Sequence, residues 1–355
     1  MDLASGTLHA RHTVPISRSF PLVGEPPMTR KLRCNAIAVG VAVALTLAGC
    51  GGSDDPGTTS ADSGGLEKTT IKVGALPVPD PVALYVANEK GYFKEEGLTV
   101  QPTVITGGAA ALPQILSGAL DISMTNYVST FAAVSEGKKI KLVADMYQAG
   151  PNTFNLMVPK DSKIQTVADL KGKTILVNNL NNVATLTTLT QLKVAGLTAD
   201  DVKFVEKPFP DMGNALLSGQ ADACWITEPF ITANQSQHGF RKLADVMTGQ
   251  TADLPIAGWM ATEDWAQKYP KTLAAFQRAI GKAQQLVSSD RKEIEAMLPK
   301  YTKIDAKTAS VITLGSFPSE LNANRLQKVA DLMLEYGYLK SPIDVKSVIA
   351  APASK

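Results

Sequence analysis

The chain has 355 residues, of which 45% are hydrophobic and 19% charged, and this is enough to bury one large core or two ordinary ones. The formal net charge is +2, but residues 1–49 hold five basic and two acidic residues, and the remaining 30 basic and 31 acidic residues give about −1, which offers no support for a nucleic-acid partner. Only His238 lies beyond that segment, so a histidine-rich metal site is excluded, and Cys34, Cys50 and Cys224 have neither zinc spacing nor a disulfide pattern.

The first recognisable element is a leader in MTRKLRCNAIAVGVAVALTLAGC (28–50). Basic residues precede an apolar run, and small residues precede Cys50, which is the layout of a secretory signal peptide. The apolar run is about 14 residues long, whereas a membrane-spanning helix needs about 20. LAGC (47–50) resembles the bacterial lipobox, in which the cysteine thiol receives a diacylglycerol and the peptide is cut just before it. Residues 1–49 are therefore expected to be an upstream extension and a signal peptide, with Met28 as the start.

A polar segment follows Cys50. GGSDDPGTTSADSGG (51–65) is too polar and glycine-rich to fold, and a flexible tract of about 15 residues spans roughly 20 Å. Residues 50–65 are thus expected to be a lipidated cysteine and a flexible linker that holds the folded part close to a membrane.

Strand and helix patterns alternate from residue 66 onward. TTIKVGALPV (69–78) begins as a strand, and Asp80 and Pro81 offer an N-cap and a first helical residue for VALYVANEK (82–90). The alternation continues through the strand LTVQPTVI (98–105), the helix in TGGAAALPQILSG (106–118), the strand LDISM (120–124) and a strand at 139–144. This order predicts a largely parallel sheet covered by helices, and we assign residues 66–155 to a first lobe.

A second block repeats the plan. Its predicted elements are TILVNN (174–179), VATLTTLTQLKVAG (183–196), VKFV (202–205), DMGNALLSG (211–219) and ADACWI (221–226). LSGALD (116–121) matches LSGQAD (217–222) at an offset close to 100 residues, which favours two similarly built lobes, the second at 156–250. Residues 251–350, with the strand IAGWMAT (256–262) and amphipathic helices at 264–289 and 324–339, are expected to return to the first lobe.

Several of these stretches are similar to one family. GYFKEEGLTV (91–100), VADLKGKTILV (167–177), ALLSGQADACWITEPF (215–230) and ATEDWAQKYPKTLAAF (261–276) resemble the substrate-binding proteins of ABC importers of the nitrate, sulfonate and taurine class, which share their fold with thiamine-pyrimidine synthases. The resemblance implies an α/β protein of the type II periplasmic-binding-protein fold. Two lobes would be joined by a two-strand hinge near 147–158 and 249–255, with the ligand between them.

The candidate ligand residues lie in loops after parallel strands, because such loops collect at one edge of a sheet. In the first lobe they are Pro77, Asp80, Thr106, Gly107, Gly108, Thr125, Asn126 and Tyr127. The helix after Thr106 would present free backbone N–H groups, although the two glycines also serve simply to turn a strand into a helix.

In the second lobe the candidates are Asn178, Asn181, Asn182, Phe209, Trp225 and Glu228. The asparagines are able to cap a helix or contact a ligand, and the two aromatic residues are either stacking faces or core. Glu228 matches the family's acidic residue, and an ionised carboxylate in the cleft would repel an anion and favour an amine or amidine. Only four arginines follow Cys50, and none lies in a candidate loop, which weakens the expectation of an oxyanion ligand.

These patterns favour a lipid-anchored receptor on the extracytoplasmic face of the cell membrane. It would capture a small molecule without chemistry, cofactor or metal, and deliver it as a monomer to an ABC permease and ATPase. The chain has no GxxxxGK[ST] motif, so the ATPase would be a separate protein. A ligand sensor and an enzyme like the pyrimidine synthases are the alternatives. The enzyme is disfavoured because the predicted folded part has one cysteine, Cys224, and one histidine.

Overall fold

The computed structural model describes residues 65–352. The predicted leader, Cys50 and nearly all of the predicted linker lie outside these residues. The strands are β1 (Thr70–Ala75), β2 (Thr99–Val104), β3 (Ile122–Asn126), β4 (Ile140–Gln148), β5 (Phe154–Val158), β6 (Thr174–Val177), β7 (Lys203–Glu206), β8 (Ala223–Thr227), β9 (Arg241–Asp245) and β10 (Pro255–Thr262).

The helices follow the strands closely along the chain. They are α1 (Val82–Glu89), α2 (Tyr92–Glu95), α3 (Gly108–Leu116), α4 (Tyr127–Ser135), α5 (Val183–Val194), α6 (Phe209–Leu217), α7 (Phe230–His238), α8 (Glu263–Lys268), α9 (Pro270–Ser289), α10 (Arg291–Tyr301), α11 (Ala306–Val311) and α12 (Ala323–Glu335). Short 3-10 helices are Val167–Leu170, Ala199–Asp201, Gly249–Thr251 and Val345–Val348.

The strands form two five-stranded sheets with the same plan. The first has the order β2-β1-β3-β10-β4 and the second the order β7-β6-β8-β5-β9. In the first sheet β10 is antiparallel to β3 and β4, and in the second β5 is antiparallel to β8 and β9, while the other strand pairs are parallel. Each antiparallel strand is the one that arrives from the other sheet. This is the two-lobed α/β architecture that the resemblance implies.

Two connections link the lobes, at 149–153 and 246–254, and they run side by side. The backbone N–H of Ala149 donates to the carbonyl of Leu254 at 2.9 Å, and that of Val246 donates to the carbonyl of Phe154 at 3.2 Å. The predicted hinge region at 147–158 includes the first connection, and the one at 249–255 overlaps the second connection at 249–254. Since both are short and bonded to one another, the lobes are held at one side of a cleft and free to move at the other.

The C-terminal helices pack on the first lobe and reinforce the connections. Arg325 of α12 pairs with the buried carboxylate of Asp145 on β4 and donates to Oε1 of Gln148 at 2.7 Å. Gln148 and Ser316 exchange two backbone hydrogen bonds of 3.0 Å. The segment after α11 is thereby fixed beside the first connection.

One predicted element differs from the structure. The amphipathic pattern at 264–289 predicts a single helix, but the structure has two, α8 and α9, because Pro270 occupies the first turn of a new helix and its missing N–H cannot continue the preceding one. Between residues 65 and 352 no helix is long and apolar enough to cross a membrane.

Candidate ligand-binding cleft

Loops from both sheets face each other between the lobes. They follow β1, β2 and β3 in the first lobe and β6, β7 and β8 in the second, which is the edge where the carboxyl ends of parallel strands meet. A central cavity of about 40 Å³ lies between them. Because ligand pockets are typically some 300–1,000 Å³, the lobes are nearly closed in this structure.

Half of the predicted residues line this central cavity. They are Asp80, Gly108, Thr125, Asn126, Asn178, Phe209 and Trp225. The candidate residues did not include the others that line it, which are Leu76, Val78, Met124, Phe154, Val183, Thr227, Ile256 and Ala257. Phe154 and Ile256 lie on the crossover strands β5 and β10. The path of these strands past the cleft depends on the folded topology and has no local sequence signature, so these two residues could not be predicted as lining residues.

Two larger spaces flank the central cavity and share lining residues with it. One of about 100 Å³ is lined by Pro77, Thr106 and Phe209, among others, and the other, of about 210 Å³, is lined by Gly108, Thr125 and Asn181. Pro77, Thr106 and Asn181 therefore border the cleft without lining its central cavity.

Gly107 is one of the points where the lobes touch. A Cβ added there would overlap Oδ1 of Asn179 in the second lobe and lie 3.0 Å from its Cγ. At the neighbouring Gly108 an added Cβ would lie 2.7 Å from the Cα of Thr125, within the same lobe. Gly107 thus allows the lobes to close, whereas Gly108 allows α3 to pack on the end of β3.

Asp80 is a buried acid at the cavity wall. It does not cap α1 as predicted, since the N-cap is Pro81 and no side chain caps that helix. Its side chain is 5% exposed, and Oδ1 has no hydrogen-bond partner among the described residues. Burial raises the pKa of this carboxyl from 3.8 to about 7, because desolvation disfavours the charged form.

Aromatic rings form a second wall of the cavity. Trp225 stacks on Phe154 with ring centroids 5.0 Å apart and on Phe209 at 6.1 Å. Its indole Nε1 donates to Oγ1 of Thr187 at 2.9 Å, so this donor is already satisfied and the ring contributes apolar surface to the cavity. Trp225 and Phe209 are consequently both core residues and lining residues.

Two asparagine amides are oriented by the protein. Oδ1 of Asn126 accepts from the backbone N–H of Ser129 at 2.8 Å, and Oδ1 of Asn178 accepts from Nδ2 of Asn182 at 2.9 Å. Asn182 itself caps α5, where its Oδ1 accepts from the N–H of Ala184. With their oxygens committed, Asn126 and Asn178 have Nδ2 donors that make no hydrogen bond to another described residue.

The structure places Tyr127 and Glu228 away from the central cavity. The hydroxyl of Tyr127 donates to Oδ1 of Asp145 at 2.6 Å inside the first lobe. Glu228 directly follows β8, and its carboxylate accepts from the backbone N–H of Thr232 at 3.0 Å and from that of Thr313 at 3.2 Å. The acid expected in the cleft therefore caps the start of α7 and joins it to the C-terminal segment, and burial raises its pKa.

The site supplies groups for recognition. No cluster of three or more His, Cys, Asp or Glu side chains suited to a metal ion occurs between residues 65 and 352. Cys224 is buried in β8, and burial raises the pKa of its thiol to about 12, which keeps it protonated and unreactive. One carboxyl, two amides and an aromatic wall are what the central cavity offers.

A cleft between two α/β lobes that exchange one strand each defines a protein of the type II periplasmic-binding-protein fold. The chain belongs to the NMT1/THI5-like family, whose model matches residues 78–294. A Bacillus subtilis protein named "Putative aliphatic sulfonates-binding protein" is 25% identical over 319 residues, which cover 87% of this chain and 92% of the relative.

Solved structures agree on the fold. The alkanesulfonate-binding protein SsuA from Xanthomonas axonopodis pv. citri, bound to MOPS, superposes with a TM-score of 0.67 at 19% identity over 81% of this chain and 99% of that one. The periplasmic nitrate-binding protein NrtA from Synechocystis PCC 6803 gives 0.66 at 15% identity over 80% and 85%.

The contact at Gly107 predicts that the lobes cross-link when both positions carry a thiol. In a chain with Cys34 and Cys50 replaced by Ala, we expect Gly107→Cys/Asn179→Cys to form a disulfide under mild oxidation, because the added Cβ lies 3.0 Å from the Cγ position of residue 179. Peptide mass spectrometry detects the link. Gly281→Cys/Asn179→Cys is the control, since a Cβ at Gly281 meets no atom within 4 Å. Equal cross-linking of the two pairs would contradict the closed arrangement.

Asp80→Asn is expected to stabilise the protein at alkaline pH. The raised pKa means that the folded state holds a proton between about pH 4 and 7 that the unfolded state has released, so the free energy of unfolding falls as pH rises through this range and stays low above it. The variant should be about 2–4 kcal/mol more stable than the unmodified protein at pH 8, with a far smaller difference at pH 4.5.

Urea unfolding at the two pH values measures this difference. Tyr147 and Tyr301 also lie close enough to feel the charge of Asp80, but burial raises the pKa of both, so they keep their protons throughout. Asp161→Asn, at an exposed position, is the matched control. If Asp80→Asn changed the free energy of unfolding by the same amount at pH 4.5 and pH 8, the raised pKa of Asp80 in the folded protein would be refuted.

Proposed function

We propose that this protein is an extracytoplasmic solute-binding protein that captures a small molecule between its lobes and delivers it to an ABC importer. The observation that supports this most directly is the cleft, where the strand-end loops of both lobes meet around a cavity with a carboxyl, two amides and aromatic faces. The names of the sulfonate-binding and nitrate-binding relatives point to the same role.

The geometry favours binding over catalysis. Cleft residues that carry polar groups are held by the protein, as in the Asn182 to Asn178 bond, and this is preorganisation for recognition. The one cysteine of the described residues is buried and protonated, so it supplies no nucleophile to the cleft.

Closure would couple binding to delivery. The two connections at 149–153 and 246–254 hold the lobes at one side, and Gly107 meets Asn179 at the other. A ligand that contacts both lobes stabilises the closed form, because only that form offers all of its contacts at once. A permease and an ATPase that recognise the closed form are the partners of this function, and we propose that the protein acts as a monomer.

We further propose that Cys50 is lipidated after cleavage of the preceding residues and that 50–65 tethers the folded part to the membrane. The sequence LAGC and the polar tract after it support this. The proposed lobes are 66–155 and 156–250, with 251–350 completing the first.

Direct titration tests the binding role. We expect the purified full-length protein to bind at least one member of a panel of ethanesulfonate, taurine, nitrate, aminopyrimidines and small amines in a 1:1 ratio by isothermal calorimetry. The disulfide-locked Gly107→Cys/Asn179→Cys protein should exchange that ligand far more slowly, and reduction should restore exchange. Silence across the panel from a folded protein would argue against the proposed function.

Replacing Cys50 with Ala tests the anchor. The thiol is the acceptor of the lipid, so Cys50→Ala should move the protein from the membrane fraction to the soluble fraction after cell fractionation, because the acyl chains that would hold it on the membrane have no attachment point. Cys34→Ala is the matched control and should leave the protein on the membrane. Retention of both variants on the membrane would rule out lipidation at Cys50.

A further inference from the structure

Asp80 raises a question that the proposed function leaves open. Among the residues that line the central cavity it is the only charged one, and no Lys or Arg side chain lies opposite it. Buried polar groups in folded proteins are nearly always hydrogen-bonded, since an unpaired one retains its desolvation penalty. An orphaned carboxyl oxygen in a ligand cleft therefore indicates a partner that the chain itself does not provide.

The nearby hydroxyls do not fill this role. Tyr301 donates its hydroxyl to the carbonyl of Val78 at 2.8 Å. The hydroxyl of Tyr147 accepts from the backbone N–H of Gly315, and it makes no hydrogen bond to Asp80. Oδ1 of Asp80 thus stays without a partner among the described residues.

The opposite wall has complementary chemistry. The stacked rings of Phe154, Trp225 and Phe209 line the same cavity, and an aromatic face attracts a cation within about 6 Å of its centre. A carboxylate and aromatic rings that line the same cavity form a site for a protonated nitrogen, whereas an anion placed there would meet the negative charge of Asp80.

We propose that the ligand carries a protonated nitrogen, as an ammonium or amidinium group, that donates to Oδ1 of Asp80 and lies against the aromatic wall. This inference rests on the proposed function and narrows it to a class of ligand. The Nδ2 groups of Asn126 and Asn178 complement the carboxyl of Asp80, because they supply N–H donors for an acceptor elsewhere on the ligand.

Size sets a further condition on this ligand. The central space of about 40 Å³ accommodates the charged group alone, and the rest of a larger molecule would extend into the flanking spaces of about 100 and 210 Å³. A zwitterion with an amine at one end and an acceptor such as a sulfonate at the other uses both sets of groups. An alkanesulfonate without nitrogen would leave the carboxyl of Asp80 unpaired.

Matched probes separate these cases. Ethanesulfonate and taurine differ only by an ammonium group, and propylamine carries the ammonium without the sulfonate. We expect taurine or propylamine to bind the full-length protein at least ten times more tightly than ethanesulfonate at pH 8, measured by calorimetry. The affinity of the nitrogen-bearing probe should fall about tenfold for each pH unit below 7, as protonation of Asp80 removes its charge.

Substitution identifies the residue responsible. Asp80→Asn keeps the shape of the side chain and removes its charge. The affinity for the nitrogen-bearing probes should therefore fall at least tenfold and lose its pH dependence, while the affinity for ethanesulfonate should stay within about threefold. The exposed Asp161→Asn makes the same change of charge and should alter none of the affinities.

The outcomes distinguish this inference from the function on which it rests. If ethanesulfonate binds as tightly as taurine and Asp80→Asn changes neither affinity, the inference is overturned while solute binding stands. If none of the three probes nor any other member of the wider panel binds the folded protein, both fail.

Discussion

The exchange of one strand between the lobes is the constraint on which the rest of the structure depends. β10 pairs antiparallel with β3 and β4, and β5 with β8 and β9, so each sheet is completed by a strand from the other side of the hinge. Since an unpaired strand edge leaves backbone donors and acceptors without partners, neither sheet is complete without the crossing. The two connections therefore stay fixed in position, and relative motion of the lobes is confined to rotation about them.

The C-terminal segment limits that rotation. Arg325 pairs with Asp145 beside the first connection, while the N–H of Thr313 donates to Glu228 of the second lobe at 3.2 Å. Removing one member of a buried ion pair leaves an uncompensated charge, so loss of either Arg325 or Asp145 would destabilise the fold. The second contact crosses between the lobes, since Glu228 follows β8 of the second lobe and Thr313 lies in the segment that is fixed beside the first connection.

Much of this could be predicted from local patterns, because alternation of strands and helices identifies the carboxyl ends of the strands. Asp80 lies in the loop after β1, Gly108 begins the helix after β2, and Trp225 lies in β8 close to its carboxyl end. Side-chain direction could not be predicted in the same way. Tyr127 begins a helix directly after β3 and donates to Asp145 in the core, and the carboxylate of Glu228 accepts from the backbone N–H of Thr232 in the first turn of α7. Which way such a side chain turns depends on partners that are distant in sequence, as Phe154 and its stacking on Trp225 also illustrate.

Burial of Asp80 links the chemistry of the cleft to its closure. Residues of both lobes line the central cavity beside the buried carboxyl, so opening the cleft would admit water to it and closing the cleft would remove that water. Closure of the empty protein is then opposed by the cost of burying or protonating the acid. A ligand cation offsets that cost only in the closed form, which gives it a higher affinity for that form, and differential affinity is what shifts a conformational equilibrium. The same carboxyl would thus choose the ligand and make closure conditional on its presence.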